Sequence, residues 1–446
     1  MLHLTTTARA LLPKILVVGL SAHIVAEAAR RLLFVSDIAY LMADAVVLSL
    51  AFVAIWLGGF RLDRRIAVFF LLYVLAGVFG HLRGEHSPFL IAVGLRPLIL
   101  GLAIYTIAEN AFRINQDTAR IIKKALAYWL IVITGLAVYQ IDAGMWAPIN
   151  EIPGITFGGR GNLYGGLDWL FRPTSIFMHT GRFGQYSFFL ALVFVLPALI
   201  AARANKSVWF LAALAVFSVF MSGQRSSFVM LSLVFLGTMI LMGQLKIFIR
   251  LVLGLCIILT IIAIVNLDVF FAFTERMASG FTGAAERGGE DGSRALVGLA
   301  RYPLMGEGLG FFSLGGEIFG GQIYYSYMAQ FGGGGENSWL STQGEAGILG
   351  VMFYALALLL IIIKSYGNFK ASSKSHATDI SWHLAAAFFP CAMSLWALTH
   401  HVFSNYLQMI AMFFLFGASV GISNHLKASV GTAICPEDRL VRRATL

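Results

Sequence analysis

Twelve apolar stretches, each close to the length that crosses a bilayer, constrain the fold of this chain more than any other feature. A helix needs about 20 apolar residues to cross the hydrocarbon layer, and backbone polar groups are satisfied there only in helices or closed barrels. With 59% hydrophobic and 12% charged residues, the chain is predicted to be an all-α polytopic membrane protein. The stretches fall at about residues 11–29, 33–57, 66–80, 89–109, 122–141, 183–202, 207–223, 226–243, 247–272, 347–365, 381–403 and 405–425.

The positive side chains are sorted between the two faces that these spans define. Because lysine-rich and arginine-rich connections stay in the cytoplasm, the face that carries the lysines and both termini is predicted to be cytoplasmic. Only arginines remain on the outer face, where planar guanidinium groups suit bidentate capture of phosphate. The net charge of +10 therefore reflects topology, and no nucleic-acid partner is predicted. The lysines on the cytoplasmic face are Lys14, Lys123, Lys124, Lys206, Lys246, Lys364, Lys370, Lys374 and Lys427.

The spans also divide the chain into regions. Residues 1–272 are predicted to hold transmembrane helices one to nine, with an outer loop at 142–182. Residues 273–346 form a large, partly helical outer loop, which is too long and too rich in aromatic residues to be a simple connector. Residues 347–425 hold helices ten to twelve, and residues 426–446 form a basic cytoplasmic tail.

Three outer arginines lie in the loops that lead into spans. Arg225 lies in a short hairpin between two spans, where an interfacial charge is costly and favours a function; an arginine that snorkels to the interface is the alternative. Arg182 opens a span, where its charge opposes the helix dipole, so an anionic partner is predicted. Arg172, in the loop before it, is a further candidate for substrate binding.

Two more arginines lie in the large outer loop. Arg294 and Arg301 are seven residues apart, so on one helix they share a face about two turns apart. This spacing could hold the two phosphates of a pyrophosphate. A solvated helix face is the alternative, and for Arg301 alone it is nearly as strong.

Acidic and amide side chains follow at the entrance to the next span. Glu336 could accept a proton from an attacking sugar hydroxyl, and the amide of Asn337 could hold sugar hydroxyls. Glu345 is a second candidate for substrate binding, although it could simply favour the helix N-terminus.

Some polar residues favour structural roles instead. Asp37, Asp44 and Arg96 lie within spans and could form an internal ion pair or a proton relay, of which the ion pair is favoured. The cysteines lack metal-ligand spacing, and the boundary histidines lack a cluster of carboxylates, so neither a metal nor another cofactor is predicted.

Together these motifs resemble the O-antigen ligase and polysaccharide polymerase family over roughly residues 170–365. The resemblance depends on their order, spacing and outer location, because no single motif is specific. The matching motifs are Gly181-Arg182-Phe183-Gly184, Gly223-Gln224-Arg225-Ser226-Ser227, Arg294, the run from Pro303 to Gly310, Glu336-Asn337-Ser338-Trp339-Leu340 and the run from Glu345 to Gly350.

The resemblance implies a GT-C-like, inverting and metal-independent glycosyltransferase in the bacterial inner membrane, with a periplasmic active site. Its donor would be an oligosaccharide on undecaprenyl pyrophosphate, and Arg225 and Arg294 would bind that pyrophosphate. Its other partners would be a glycan acceptor and membrane lipids. A chain-length regulator and a flippase are candidate protein partners. Ligases carry histidine where this chain has Glu336, which favours a polymerase with Glu336 as the base.

Two alternatives remain open. A ligase would transfer the glycan to lipid A core or to another acceptor. A transporter or flippase for lipid-linked oligosaccharides would use Asp37, Asp44 and Arg96 as coupling residues. A flippase is expected to line a through-path with charge and to have two related halves. The polar residues of this chain instead concentrate on one side and in one long loop.

Overall fold

The structure is a computed structural model, and its backbone is described for residues 6–33, 38–84, 87–144, 147–150, 163–164, 167–201, 205–243, 304–312, 337–372, 377–398, 400, 402–403 and 405–433. These ranges contain eleven α-helices and one short antiparallel hairpin, of strands β1 (Leu163–Tyr164) and β2 (Leu167–Phe171). The helices are α1 (Thr6–Leu33), α2 (Ile38–Gly58), α3 (Arg64–Gly84), α4 (Pro88–Ile114), α5 (Thr118–Ala143), α6 (Thr180–Ile200), α7 (Lys206–Met221), α8 (Arg225–Leu241), α9 (Ser338–Ala371), α10 (Ala377–Trp396) and α11 (Tyr406–Ala433).

Eight of the described helices are long and apolar enough to cross a membrane, namely α1 to α6, α9 and α11. Helices α7 and α8 are apolar but have only 16 and 17 residues. The prediction of an all-helical polytopic membrane protein is therefore confirmed, whereas the count of twelve spans stays a prediction. The stretch predicted at 247–272 lies outside the described residues.

Helices α6 and α11 lie at the centre of the bundle, since nearly all of their membrane-length segments are buried by protein. Helix α11 packs closely along α4, and glycines permit this close approach. A Cβ atom at Gly417 or Gly421 would lie 2.6 Å from a backbone oxygen of α4. Helix α11 continues to residue 433, so the segment predicted as a tail from residue 426 begins as helix. Leu426 in this segment still packs against the core.

One end of the bundle, here called the lysine end, is formed by the α2–α3 and α4–α5 connections and the C-terminal parts of α9 and α11. Lys364 Nζ lies 3.0 Å from Asp63 Oδ2, and Asn424 Nδ2 donates to Glu109 Oε1 at 3.1 Å. The first contact joins α9 to the α2–α3 connection, and the second joins α11 to α4. The described lysines near helix ends all lie at this end of the bundle; they are Lys123, Lys124, Lys206, Lys364, Lys370 and Lys427.

Candidate functional site

The opposite end, here called the site end, contains the N-termini of α6, α8, α9 and α11. The motifs of Arg182 and Arg225 meet there. Arg182 lies in the first turn of α6, and Arg225 begins α8 directly after a turn at Gly223 with φ of 59°. A Cβ atom at Gly184 would lie 2.2 Å from Gln224 Oε1. Glycine at 184 thus leaves room for the side chains of Ser222 and Gln224 against the start of α6.

Arg172 reaches the same turn from the segment before α6. Its Nε donates to the backbone oxygen of Ser222 at 3.4 Å. The structure thus brings three of the predicted site arginines, Arg172, Arg182 and Arg225, to one region of the site end.

Arg182 has the anionic partner that its position predicted. Its Nη1 lies 2.5 Å from Oε1 of Glu27 on α1, which is fully buried. Tyr406 at the start of α11 donates its hydroxyl to the same oxygen at 2.6 Å, and the backbone N–H of Met178 donates to Oε2 at 3.2 Å. A buried carboxylate is tolerated when it is paired and hydrogen-bonded in this way. The Arg182 side chain keeps 24% of its surface accessible.

A second ion pair lies beside the first. Arg96 donates Nε to Asp44 Oδ2 at 2.6 Å and Nη2 to Oδ1 at 3.0 Å, a bidentate pair. His23 Nε2 lies 2.8 Å from Asp44 Oδ1, and its ring centroid is 5.0 Å from that of Tyr406. The predicted internal ion pair of Asp44 and Arg96 is confirmed, while Asp37 lies outside the described residues.

Sequence reasoning missed Glu27, His23 and Tyr406 as members of this network. A signal was available for two of them, because His23 and Glu27 are four residues apart in an apolar stretch and so share one face of α1. Nothing in the sequence marks Tyr406, whose partners come from distant helices.

The amide of Asn337 caps helix α9. Its Oδ1 accepts the backbone N–H groups of Trp339 at 2.9 Å and Leu340 at 3.2 Å, which are otherwise unsatisfied at a helix N-terminus. The structure therefore gives Asn337 a capping role, and its role toward a sugar stays a prediction.

The start of α9 is joined to α6 through the connection between α10 and α11. Ser338 donates its hydroxyl to the backbone oxygen of His400 at 2.7 Å. Asn405, just before α11, donates Nδ2 to Gln185 Oε1 on α6 at 2.8 Å. The Asn337 motif and the Arg182 motif therefore belong to one hydrogen-bonded end of the bundle.

Glu345 holds residues 304–312 against the kink of α9. Its Oε1 accepts the backbone N–H of Phe312 at 3.2 Å, and its backbone oxygen accepts the N–H of Gly308 at 3.0 Å. The kink lies at Gly347, whose φ of 67° is not helical. These contacts give Glu345 a structural role in anchoring the segment, and substrate binding by its carboxylate stays a prediction.

Five predicted site residues thus lie at the site end: Arg172, Arg182, Arg225, Asn337 and Glu345. Arg294, Arg301 and Glu336 lie outside the described residues. Within the described part of the chain, no group of three histidine, cysteine, aspartate or glutamate side chains could hold a metal ion. No family model matches this chain, and no curated protein matches it.

Proposed function

We propose that the protein is a polysaccharide polymerase, acting on O-antigen or exopolysaccharide, that transfers an oligosaccharide from undecaprenyl pyrophosphate to a growing lipid-linked glycan. The reaction takes place at the periplasmic face of the bacterial inner membrane. The support is the motif pattern together with the architecture, in which motifs far apart in sequence meet at one end of an apolar helical bundle.

The observation that carries the proposal is the gathering of Arg172, Arg182 and Arg225 at the site end, while the described lysines of the helix ends lie at the opposite end. An end whose described cations are arginines rather than lysines suits a diphosphate, because the guanidinium fork can donate two parallel hydrogen bonds to phosphate oxygens. Lysine would serve equally well if only positive charge were needed.

In the proposed reaction, a hydroxyl oxygen of the acceptor glycan attacks the anomeric carbon of the donor sugar. The bond from that carbon to the diphosphate oxygen breaks, and undecaprenyl pyrophosphate leaves with the electron pair. Arg225 and Arg294 stabilise the negative charge that develops on the leaving group. Glu336 accepts the hydroxyl proton as the general base.

Glu336 also bears on the choice between the two glycan-transfer alternatives, polymerase and ligase. A carboxylate in place of histidine favours the polymerase. A ligase remains the alternative, and the acceptor found on the product distinguishes them, because a ligase product is attached to lipid A core or another non-carrier acceptor.

The proposal is tested with purified protein in detergent and synthetic lipid-linked repeat units. We expect Arg225→Ala to reduce chain extension by roughly 100-fold or more, since removing a preorganised donor to a developing oxyanion typically costs that much. Arg225→Lys should rescue poorly if both prongs of the fork are used. Arg64→Ala, an exposed arginine at the lysine end, is the matched control and should extend chains normally.

Stability of each variant is checked by thermal unfolding and size-exclusion elution, so that a folding defect is not read as a catalytic one. Polymer of normal length from a folded Arg225→Ala variant contradicts the proposal.

A transporter of the same lipid is the second candidate function. The network of His23, Asp44 and Arg96 favours it, because ionisable side chains within spans often carry coupling protons. The assay in detergent separates the two functions. An enzyme lengthens the glycan without any gradient, whereas a transporter moves its lipid only between two compartments.

A further inference from the structure

A cleft of about 220 Å³, partly open to solvent, lies at the lysine end. Its walls come from the α2–α3 connection, the middle of α4, and the C-terminal parts of α9 and α11. Three positive side chains and one negative side chain line it, an excess of two positive charges. The charged residues are Arg61, Asp63, Lys364 and Lys427.

Two of the cations have no counter-ion among the residues that the structure describes. Lys364 Nζ pairs with Asp63 Oδ2 at 3.0 Å. Burial alone would raise the pKa of Asp63, but hydrogen bonds from Lys364 and from the backbone N–H of Arg65 hold it below its usual value, so this pair is neutral overall. Arg61 and Lys427 form no ion pair with any described residue, although both line the cleft.

The inner wall of the cleft is polar and firmly held. Asn368 and Ser423 are buried there, each with 6% of its surface accessible. The rings of Tyr105 and Phe416 stack with centroids 5.2 Å apart, and the Tyr105 hydroxyl donates to the backbone oxygen of Arg61 at 2.7 Å. This last bond fixes the backbone that carries one of the unpaired cations.

We propose that this cleft binds a phosphate group, with Arg61 and Lys427 as its ligands, and that an anionic membrane lipid supplies the phosphate. Two cations without a counter-ion among the described residues more than offset the single negative charge of a phosphodiester, and guanidinium and ammonium groups donate charge-assisted hydrogen bonds to its oxygens. The cleft lies near the ends of helices that are long and apolar enough to cross a membrane, so a bilayer around these helices would bring lipid headgroups to it, and basic pockets between helices at that level bind anionic lipids. The inference does not depend on the proposed enzymatic activity.

The test compares two double variants of the full-length protein that lose the same charge. Arg61→Gln/Lys427→Gln removes the unpaired cations of the cleft. Arg64→Gln/Lys370→Gln removes two cations at the same end that do not line it. Binding of phosphatidylglycerol, phosphatidylcholine and inorganic phosphate is measured by native mass spectrometry and by the shift in thermal unfolding temperature.

We expect wild-type protein to bind phosphatidylglycerol more tightly than phosphatidylcholine. The cleft variant should lose roughly tenfold or more in affinity, since each basic residue contributes about 1 kcal/mol to anionic-lipid binding, while the control variant should stay within about twofold. Binding of inorganic phosphate without binding of phosphatidylglycerol would assign the cleft to a soluble phosphate ester and overturn the lipid as its ligand. Equal losses in both double variants, or no preference for phosphatidylglycerol, would overturn the proposal. If the double variant does not fold, Lys427→Gln alone, an exposed position, carries the same test.

Discussion

Glu27 is the buried carboxylate that holds Arg182 at the start of α6. It is an acidic side chain in a membrane-length helix, fully buried, and it accepts three hydrogen bonds, from Arg182, Tyr406 and Met178. Its charge offsets that of Arg182, so Arg182 can lie at the positive end of a helix dipole without further compensation. Arg182 is thereby fixed at the start of α6, next to the turn that leads into Arg225.

Replacing Glu27 with glutamine keeps the size of the side chain but leaves the partly buried Arg182 without the counter-charge of Glu27. Breaking a buried ion pair costs about 3–5 kcal/mol, so we expect Glu27→Gln to lower the free energy of unfolding by about 3 kcal/mol. Tyr406→Phe removes a single hydrogen bond and should cost about 1 kcal/mol. Both are measured by denaturant unfolding in detergent.

The double variant Glu27→Gln/Arg182→Gln provides the control for charge. It should lose less stability than the sum of the two single variants, because neither unpaired charge remains buried. Strict additivity would show that the pair contributes no coupling energy and would contradict this account.

At the scale of elements, residues 304–312 form a segment that lies directly against helix backbones. A Cβ atom at Gly306 would lie 2.3 Å from the backbone of Gly344 and Glu345, and one at Gly94 would lie 2.4 Å from the backbone nitrogen of Gly310. Backbone atoms cannot move aside as side chains do. The glycines therefore permit the docking of this segment, and Glu345 holds it there.

Adding one methyl group at Gly306 should disrupt this docking. We expect Gly306→Ala to lower the free energy of unfolding by about 1–3 kcal/mol through overpacking, and to increase protease cleavage within 304–312. Gly135→Ala is the matched control, because nothing lies within 4 Å of a Cβ atom there. That variant, inside helix α5, should be neutral or more stable by about 0.5–1 kcal/mol. Equal effects of the two substitutions would contradict the role of close packing.

At the scale of the whole molecule, the bundle has two chemically different ends. The lysine end joins its helices through polar contacts such as Lys364 with Asp63, and the site end gathers the motif arginines. The positive-inside rule predicts that the lysine end faces the cytoplasm, and the proposed function requires the site end to face the periplasm.

Cysteine labelling in intact cells tests this orientation. In a background where Cys256, Cys391 and Cys435 are serine, a membrane-impermeant thiol reagent should label His179→Cys at the site end. It should not label Lys370→Cys at the lysine end until the cells are permeabilised. Both positions are exposed in the structure, so a difference reports orientation. The reverse pattern would place the site end in the cytoplasm and exclude a periplasmic reaction.

The sequence by itself determined the helices, because their signal is local. Apolar runs of membrane length predict helices wherever they occur, and eleven of the twelve stretches coincide with a described helix. It also identified Arg182 as a residue that needs an anion, and it predicted an internal ion pair or a proton relay among Asp37, Asp44 and Arg96, since charges in spans must be compensated.

Only the tertiary structure decided which residues act as partners. Glu27 and Tyr406 are separated by most of the chain, yet they share one hydrogen bond, and no periodicity in the sequence encodes that contact. The same holds for Asn337 and Glu345, whose side-chain chemistry allows a substrate role. In the structure Asn337 caps helix α9, and Glu345 anchors residues 304–312. Polar side chains in a bundle bind whatever the packing of distant helices brings within reach, and that packing is a property of the whole fold.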